Sequence, residues 1–324
     1  MIKFRELKLE EMEAWFDHCM YVFNGGTYSQ SYRQYFTNHY YNDPWRDLES
    51  ILVAVEDKKI VSTVRIFHRR IYLNGQIIEM GGIGEVSTIL EYRCKGLSSK
   101  LLALAIRKMK EKGINVSMLG ADLEKIGFYS KFGWESLSRC FNKSTVKGKN
   151  DLNIKMRQVN FDTDIPQIAF VFNEYSRKRN GIVVRDEECY WSKWVKNEVK
   201  NFYVVEDEMD KIIAYIDFEK CDKIIQIREF GELSGKESIF PLLVPKIINH
   251  TCENECEVIY SIAIQSPFIV DKLIEETNEM IKLINPFNFG DIKVQNTKEF
   301  VKILSNCAQR EVSKAFVSWH IDGF

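Results

Sequence analysis

The stretch "GGIGEVSTILEYRCKGLSSKLLALAIRKM" constrains the first half of this chain more than any other. Its opening, "GGIGEVSTIL", reads as a strand. Further on, Leu97, Leu101, Leu102, Ala105, Ile106 and Met109 share one helical face, with Lys100, Arg107, Lys108 and Lys110 largely off it. Between the two lies a turn containing Arg93, Lys95 and Gly96. A strand that passes through a basic glycine turn into a helix gathers first-turn N–H groups, a positive dipole end and cations in one place. That combination suits a phosphate. A turn with surface lysines is the plainer alternative.

Around this unit the pattern alternates between periods. "IKFREL" reads as a strand and "LEEMEAWFDHCMYVF" as a helix, and an aromatic stretch, "NGGTYSQSYRQYFTNHYYNDPW", follows. "SILVAVED", "KIVSTVRIFHRR" and "IYLNGQIIEMGGIGEVST" read as strands joined by the turns "EDKK" and "LNGQ". "INVSMLGA" is a short strand, "DLEKIGFYSKFGW" a helix and "ESLSRCF" a strand. Strands interleaved with helices predict an α/β (α+β) layer architecture with a mixed sheet.

The polar, basic "NKSTVKGKND" lacks apolar periodicity and places a boundary near residue 148. After it the same order of elements recurs without the same sequence. "NIKMRQV", "FYVVED", "KIIAYIDFEK", "KIIQIREF", "VIYSIAI" and "MIKLINPF" read as strands. "DIPQIAFVFNEYSRKR", "EECYWSKWVKNEV", "FPLLVPKIINHT" and "FIVDKLIEETNE" read as helices. Two domains of one fold, 1–148 and 149–324, are therefore expected. Beyond Phe289, a helix near "TKEFVKIL" and a strand near "KAFVSW" would complete the second, with Phe300, Leu304, Phe316 and Trp319 as buried anchors.

Length and charge agree with this plan. The 324 residues suffice for two ordinary cores. Lysine plus arginine (45) nearly cancels aspartate plus glutamate (46), which argues against a nucleic-acid partner. No apolar run approaches the ~20 residues of a membrane span, and the charged start lacks a signal-peptide core, so a cytoplasmic protein is expected. Eight scattered cysteines do not form a disulfide framework. "HTCENEC" offers His250, Cys252 and Cys256 without a second ligand pair, and reads as a solvated turn, so no metal is expected.

Two motifs then define a resemblance. Arg93-Cys94-Lys95-Gly96-Leu97-Ser98 resembles the [QR]-x-x-G-x-[GA] acyl-coenzyme A signature of the GCN5-related N-acetyltransferase (GNAT) superfamily. Tyr129, Gly133 and Trp134 in "FYSKFGW" resemble its Tyr-x-x-x-Gly-[Phe/Tyr] element, and the tandem arrangement is similar to the enhanced-intracellular-survival (Eis) branch. Ser98 departs from the usual Gly or Ala but is still small. That branch's third, sterol-carrier-like domain is not expected within these 324 residues. The resemblance implies two tandem GNAT-like domains, the first catalytic and the second degenerate, since "REFGELSGKESIF" lacks the signature.

It further implies that Val86, Ser87 and Thr88 bond the pantetheine of acetyl-CoA. Arg93, Cys94, Lys95, Gly96, Leu97, Ser98 and Ser99 would surround its pyrophosphate, and Tyr129 would protonate the leaving thiolate. The implied reaction is acetyl transfer to a primary amine of a small molecule or peptide; the alternative is a coenzyme A-binding sensor or scaffold without turnover. Such an amine is about 99.9% protonated near neutrality, so a base is needed. Glu85 is the first candidate, because a glutamate in an apolar strand is costly to bury without a functional reason. A solvent-facing position or an arginine partner is the alternative reading. Asp122, which also suits a helix cap, the Phe324 carboxylate, His39 and His68 stand behind it. The aromatic stretch would wall the acceptor site, with Tyr28, Tyr32, Tyr35, Tyr40, Tyr41 and Trp45 stacking and Asp43 attracting a cation. An aromatic core layer is equally consistent with it. Tyr129 likewise suits a packing role.

Overall fold

Twelve strands run as one continuous mixed sheet through the computed structural model, which describes residues 1–149, 154–235, 238–251 and 253–323. The strands are β1 (Lys3–Glu6), β2 (Ile51–Glu56), β3 (Lys59–Leu73), β4 (Gln76–Thr88), β5 (Val116–Gly120) and β6 (Glu135–Lys147). They continue with β7 (Lys155–Gln158), β8 (Asn201–Glu206), β9 (Ile212–Cys221), β10 (Ile224–Glu232), β11 (Glu255–Ser261) and β12 (Lys272–Leu283). Their order across the sheet is β1-β2-β3-β4-β5-β12-β6-β11-β10-β9-β8-β7. Pairing is antiparallel except β4 with β5 and β10 with β11, which are parallel.

The two halves thus repeat one pattern and exchange their last strands. β12 pairs with β5 on one side and β6 on the other, while β6 also pairs with β11. Each half is completed by a strand of the other. Residues 268–279, expected as a helix, are here largely strand, because β12 is hydrogen-bonded along both edges. There Met280 and Ile281 are fully buried, and Glu279 is held by Arg139 Nε at 3.0 Å. Tertiary pairing overrides the apparent helical spacing. The expected strand near "KAFVSW" reduces to an isolated bridge between Phe316 and Asn180, followed by a 3-10 turn, His320–Asp322.

Helices α1 (Met12–Phe23), α2 (Gln30–Tyr41), α3 (Leu97–Glu111) and α4 (Ile126–Ser130) belong to the first half. α3 lays its predicted face on the sheet: Leu97, Leu101, Leu102, Ala105 and Met109 are buried among Val64, Ile66 and Ile83. At Gly81 a Cβ would lie 2.4 Å from Met109 Sδ, so glycine sets how closely α3 approaches β4. In the second half, helix Thr297–Arg310 and the final segment bury all four expected anchors, Phe300, Leu304, Phe316 and Trp319. At ~1.5–3 kcal/mol for each buried side chain, these anchors rival the whole stability of an ordinary domain.

Candidate active site

β4 and β5 pair only from Met80 to Gly82 with Val116 to Met118, and then diverge. A cleft of ≈ 1390 Å³ opens at that divergence. Its walls include Ile83 to Thr88 of β4, Gly120 at the end of β5 with Ala121 and Asp122 after it, the turn before α3, and Tyr129 of α4. Of the residues expected at the site, Glu85, Val86, Ser87, Thr88, Arg93, Cys94, Gly96, Leu97, Ser98, Ser99 and Tyr129 all line it. Lys95 does not; its Nζ lies 4.7 Å from the centre of the Tyr92 ring.

The turn gathers backbone donors. Cys94 (φ 61°) and Gly96 (φ 73°) are both left-handed, which coils the backbone so that successive N–H groups converge. The Arg93 N–H is already taken by the Leu90 carbonyl at 3.1 Å, which narrows the expected set. Among the described residues, the N–H groups of Cys94 to Ser99 have no acceptor in the chain. Six free donors at a helix N-terminus form an anion cradle. Ser98, the departure from the signature, has a structural part of its own. Its hydroxyl meets Thr88 Oγ1 at 2.8 Å, which in turn meets Ser62 Oγ at 2.8 Å. These bonds tie α3 to the end of the strand it follows.

Glu85 occupies a bulge. Thr63 pairs with Ser87 but Arg65 with Gly84, so β4 carries one extra residue, and Glu85 takes φ 54°. A left-handed non-glycine costs on the order of 1–3 kcal/mol and persists only where surroundings enforce it. The enforcing contacts are charged. Glu85 Oε1 accepts from Arg65 Nη1 and from His39 Nδ1, both at 3.3 Å. Arg65 also donates to Asp43 Oδ2 at 2.8 Å, and Arg69 donates to Asp43 Oδ1 at 3.0 Å. All five side chains are buried, and Glu85 Oε2 is buried without a partner. The arginine partner foreseen for Glu85 therefore exists, alongside a histidine. Arg65 itself was legible in "VRIFHRR", where it stands between Val64 and Ile66 in an apolar strand and so demands a carboxylate once buried.

Other candidates separate cleanly. Asp43 is saturated by two guanidiniums and 1% exposed, so it cannot meet an acceptor amine. Tyr32 and Tyr35 line the cleft, whereas Tyr40 is buried in the core and Trp45 packs on Tyr190 at 5.2 Å. Tyr28 and Tyr41 are exposed and lie off the cleft wall. Asp122 lines the cleft and makes no capping bond. His68 lies elsewhere, its Nε2 2.7 Å from Ser50 Oγ, with burial pushing its pKa down to about 4. The Phe324 carboxylate and Cys252 lie outside the described residues; Cys256 is buried in β11, and His250 Nε2 meets Tyr203 Oη at 3.2 Å. Among the described residues no cluster of three metal-ligating side chains occurs, and no helix is long and apolar enough to cross a membrane.

Tyr129 is half-buried, with Trp134 edge-on at 6.3 Å and Phe128 at 5.1 Å. Burial, reinforced by the Asp122 charge, pushes its phenol up to about 12, so it remains a proton donor throughout the neutral range. The matching divergence of β10 from β11 is occupied differently: Ile227 and Ser261 there face the segment Phe316 to His320, leaving only a small crevice. Just beyond, Arg185 holds both Glu229 (2.6 Å) and Asp322 (2.9 Å) in full burial.

A diverging parallel strand pair, a bulge, and a bare N–H cradle opening a helix together form a cleft of the kind seen in acyltransferase folds. Residues 3–137 match the family model described as "Acetyltransferase (GNAT) domain". No curated protein sequence matches the chain. Among solved structures, it is similar to a "Probable N-Acyltransferase" from Enterococcus faecalis, at TM-score 0.70 and 17% identity over 88% of this chain and 73% of that one. It is also similar to a GCN5-related N-acetyltransferase from Anabaena variabilis (TM-score 0.65, 17% identity, 88% and 73%). Eis1 from Mycobacterium abscessus shares the tandem fold (TM-score 0.61, 12% identity, 88% and 74%).

Proposed function

We propose that the protein transfers the acetyl group of acetyl-CoA to a primary amine of a small molecule or peptide. In this reading residues 1–148 are the catalytic domain and 149–324 a degenerate copy whose own divergence holds the C-terminal segment. The observation that carries it is the coincidence, in one cleft, of six unpaired N–H groups, a buried carboxylate on a bulge and a protonated phenol. The cradle of Cys94 to Ser99 holds the pyrophosphate and the diverging edge of β4 at Val86 to Thr88 bonds the pantetheine. This sets the thioester near the bulge, with Tyr129 as acid toward the sulfur. Glu85 and the groups it bonds supply the basic side. Tyr32 and Tyr35, on the outer wall, meet the acceptor. Thiol release from acetyl-CoA, followed with and without a panel of primary amines, tests this. Amine-dependent release with matching N-acetyl product supports it; binding of acetyl-CoA without transfer to any amine sinks it in favour of a sensor or scaffold.

A further inference from the structure

We propose that His39 is the catalytic proton acceptor of this site and that Glu85 acts on it as a positioning residue; this rests on the acetyltransferase reading above. The reason lies in which atoms are free. Glu85 Oε1 is shared between Arg65 and His39, and Oε2 is sealed from solvent. A substrate proton has no open approach to either oxygen. His39 is part of the cleft wall, and its Nδ1 faces the Glu85 carboxylate at 3.3 Å. A carboxylate opposite Nδ1 keeps the proton on that nitrogen and leaves the lone pair on Nε2. Among the described residues Nε2 has no hydrogen-bond partner and, unlike Glu85 Oε2, is not a buried orphan atom.

The ring is also held in orientation. Tyr35 stacks on it at 5.2 Å with planes 18° apart, Phe67 packs at 5.2 Å, and Trp194, contributed by the second half, packs at 4.7 Å. Arg65 lies 4.0 Å from the Phe67 ring centre, so the same aromatic plate fixes both partners of the carboxylate. The exposed edge of Tyr35 extends this wall outward, where an acceptor enters.

The proton and electron count closes. Nε2 takes one proton from the substrate ammonium, and the freed nitrogen pair forms the N–C bond with the thioester carbonyl. The C–S bond breaks, and its pair leaves on sulfur, which takes the Tyr129 proton. The second proton lost by the amide nitrogen restores Tyr129 through solvent, and His39 releases its proton to the cleft water.

The test compares acceptors that do and do not need a base. Wild type and His39→Gln are assayed at pH 7 with acetyl-CoA and either benzylamine, an ammonium ion at that pH, or phenylhydrazine, which is already largely neutral. Loss of a general base costs ~10²–10⁴ in rate, so kcat/KM with benzylamine should fall in that range, while phenylhydrazine should lose less than ~10-fold. As a second variant, His39→Ala should regain benzylamine turnover when imidazole is added. Equal losses on both acceptors without imidazole rescue overturn the assignment and leave His39 a packing residue. Unchanged kcat/KM in His39→Gln overturns it as well. A wild type that binds acetyl-CoA but transfers to neither amine instead removes the acetyltransferase reading, and this inference with it.

Discussion

Replacing Tyr129 by Phe removes a single oxygen from the proposed thiolate acid and leaves the ring contacts with Phe128 and Trp134 in place. No hydrogen bond of the Tyr129 hydroxyl joins it to another described residue, so folding loses no bond, and the melting temperature should move by no more than about 2 °C. The kinetic cost is larger. A positioned general acid contributes ~10²–10⁴ in rate, which corresponds to ~2.7–5.5 kcal/mol of barrier. The whole of that should appear in kcat, with acetyl-CoA affinity by calorimetry unchanged within about twofold. The pH dependence carries a second signature. Burial pushes the phenol up to about 12, so below that pH the acid is present and wild-type kcat should show no falling limb near the usual tyrosine value of ~10. Stopped assays of thiol release from pH 7 to 10.5 measure both. A Tyr129→Phe enzyme with normal kcat, or a variant that melts far lower while its folded fraction turns over normally, would make Tyr129 a packing residue and refute the reasoning.

Gly96→Glu places a side chain with φ 73° in the anion cradle and adds a carboxylate opposite the pyrophosphate; acetyl-CoA binding should weaken at least ~100-fold by calorimetry, from a wild-type stoichiometry of one per chain. His18 and His68 are both pushed down to about 4 by burial, so the unfolded chain binds protons there first as pH falls below ~6.5. Denaturant midpoints should therefore decline from pH 6.5 towards 4, and His68→Asn should flatten that decline. In the second half, Arg185→Met strands Glu229 and Asp322 in the core and should cost ~3–5 kcal/mol in urea unfolding. Glu229→Gln, at a carboxyl that burial pushes up to about 7, should cost far less. Truncation after Phe289 removes Phe300, Leu304, Phe316 and Trp319 together and should leave no cooperative thermal transition; an unchanged one would exclude their anchoring role.

What could be read directly from the residues is what is local. The cradle from Cys94 to Ser99 depends on a helix start and two left-handed residues, all within one short stretch. Amphipathic spacing likewise marks the buried face of α3, because a helix face is set by chain geometry alone. Tyr129 followed from a motif a few residues long. What the linear order concealed is long-range. The His39–Glu85 contact spans 46 residues and Arg65–Asp43 spans 22, and nothing near any of these positions states which charge meets which. Asp43 therefore looked available to a substrate, when two arginines on β3 consume it. Residues 272–279 of β12 looked helical, while the strand reading began only at Met280, and insertion between β5 and β6 decides the matter. That insertion also ties the second half to the half that carries the cleft, since a sheet edge demands a partner and each half finds it in the other. Local backbone chemistry wrote the anion cradle into the sequence; the charge pairs and the strand exchange exist only once distant segments pack.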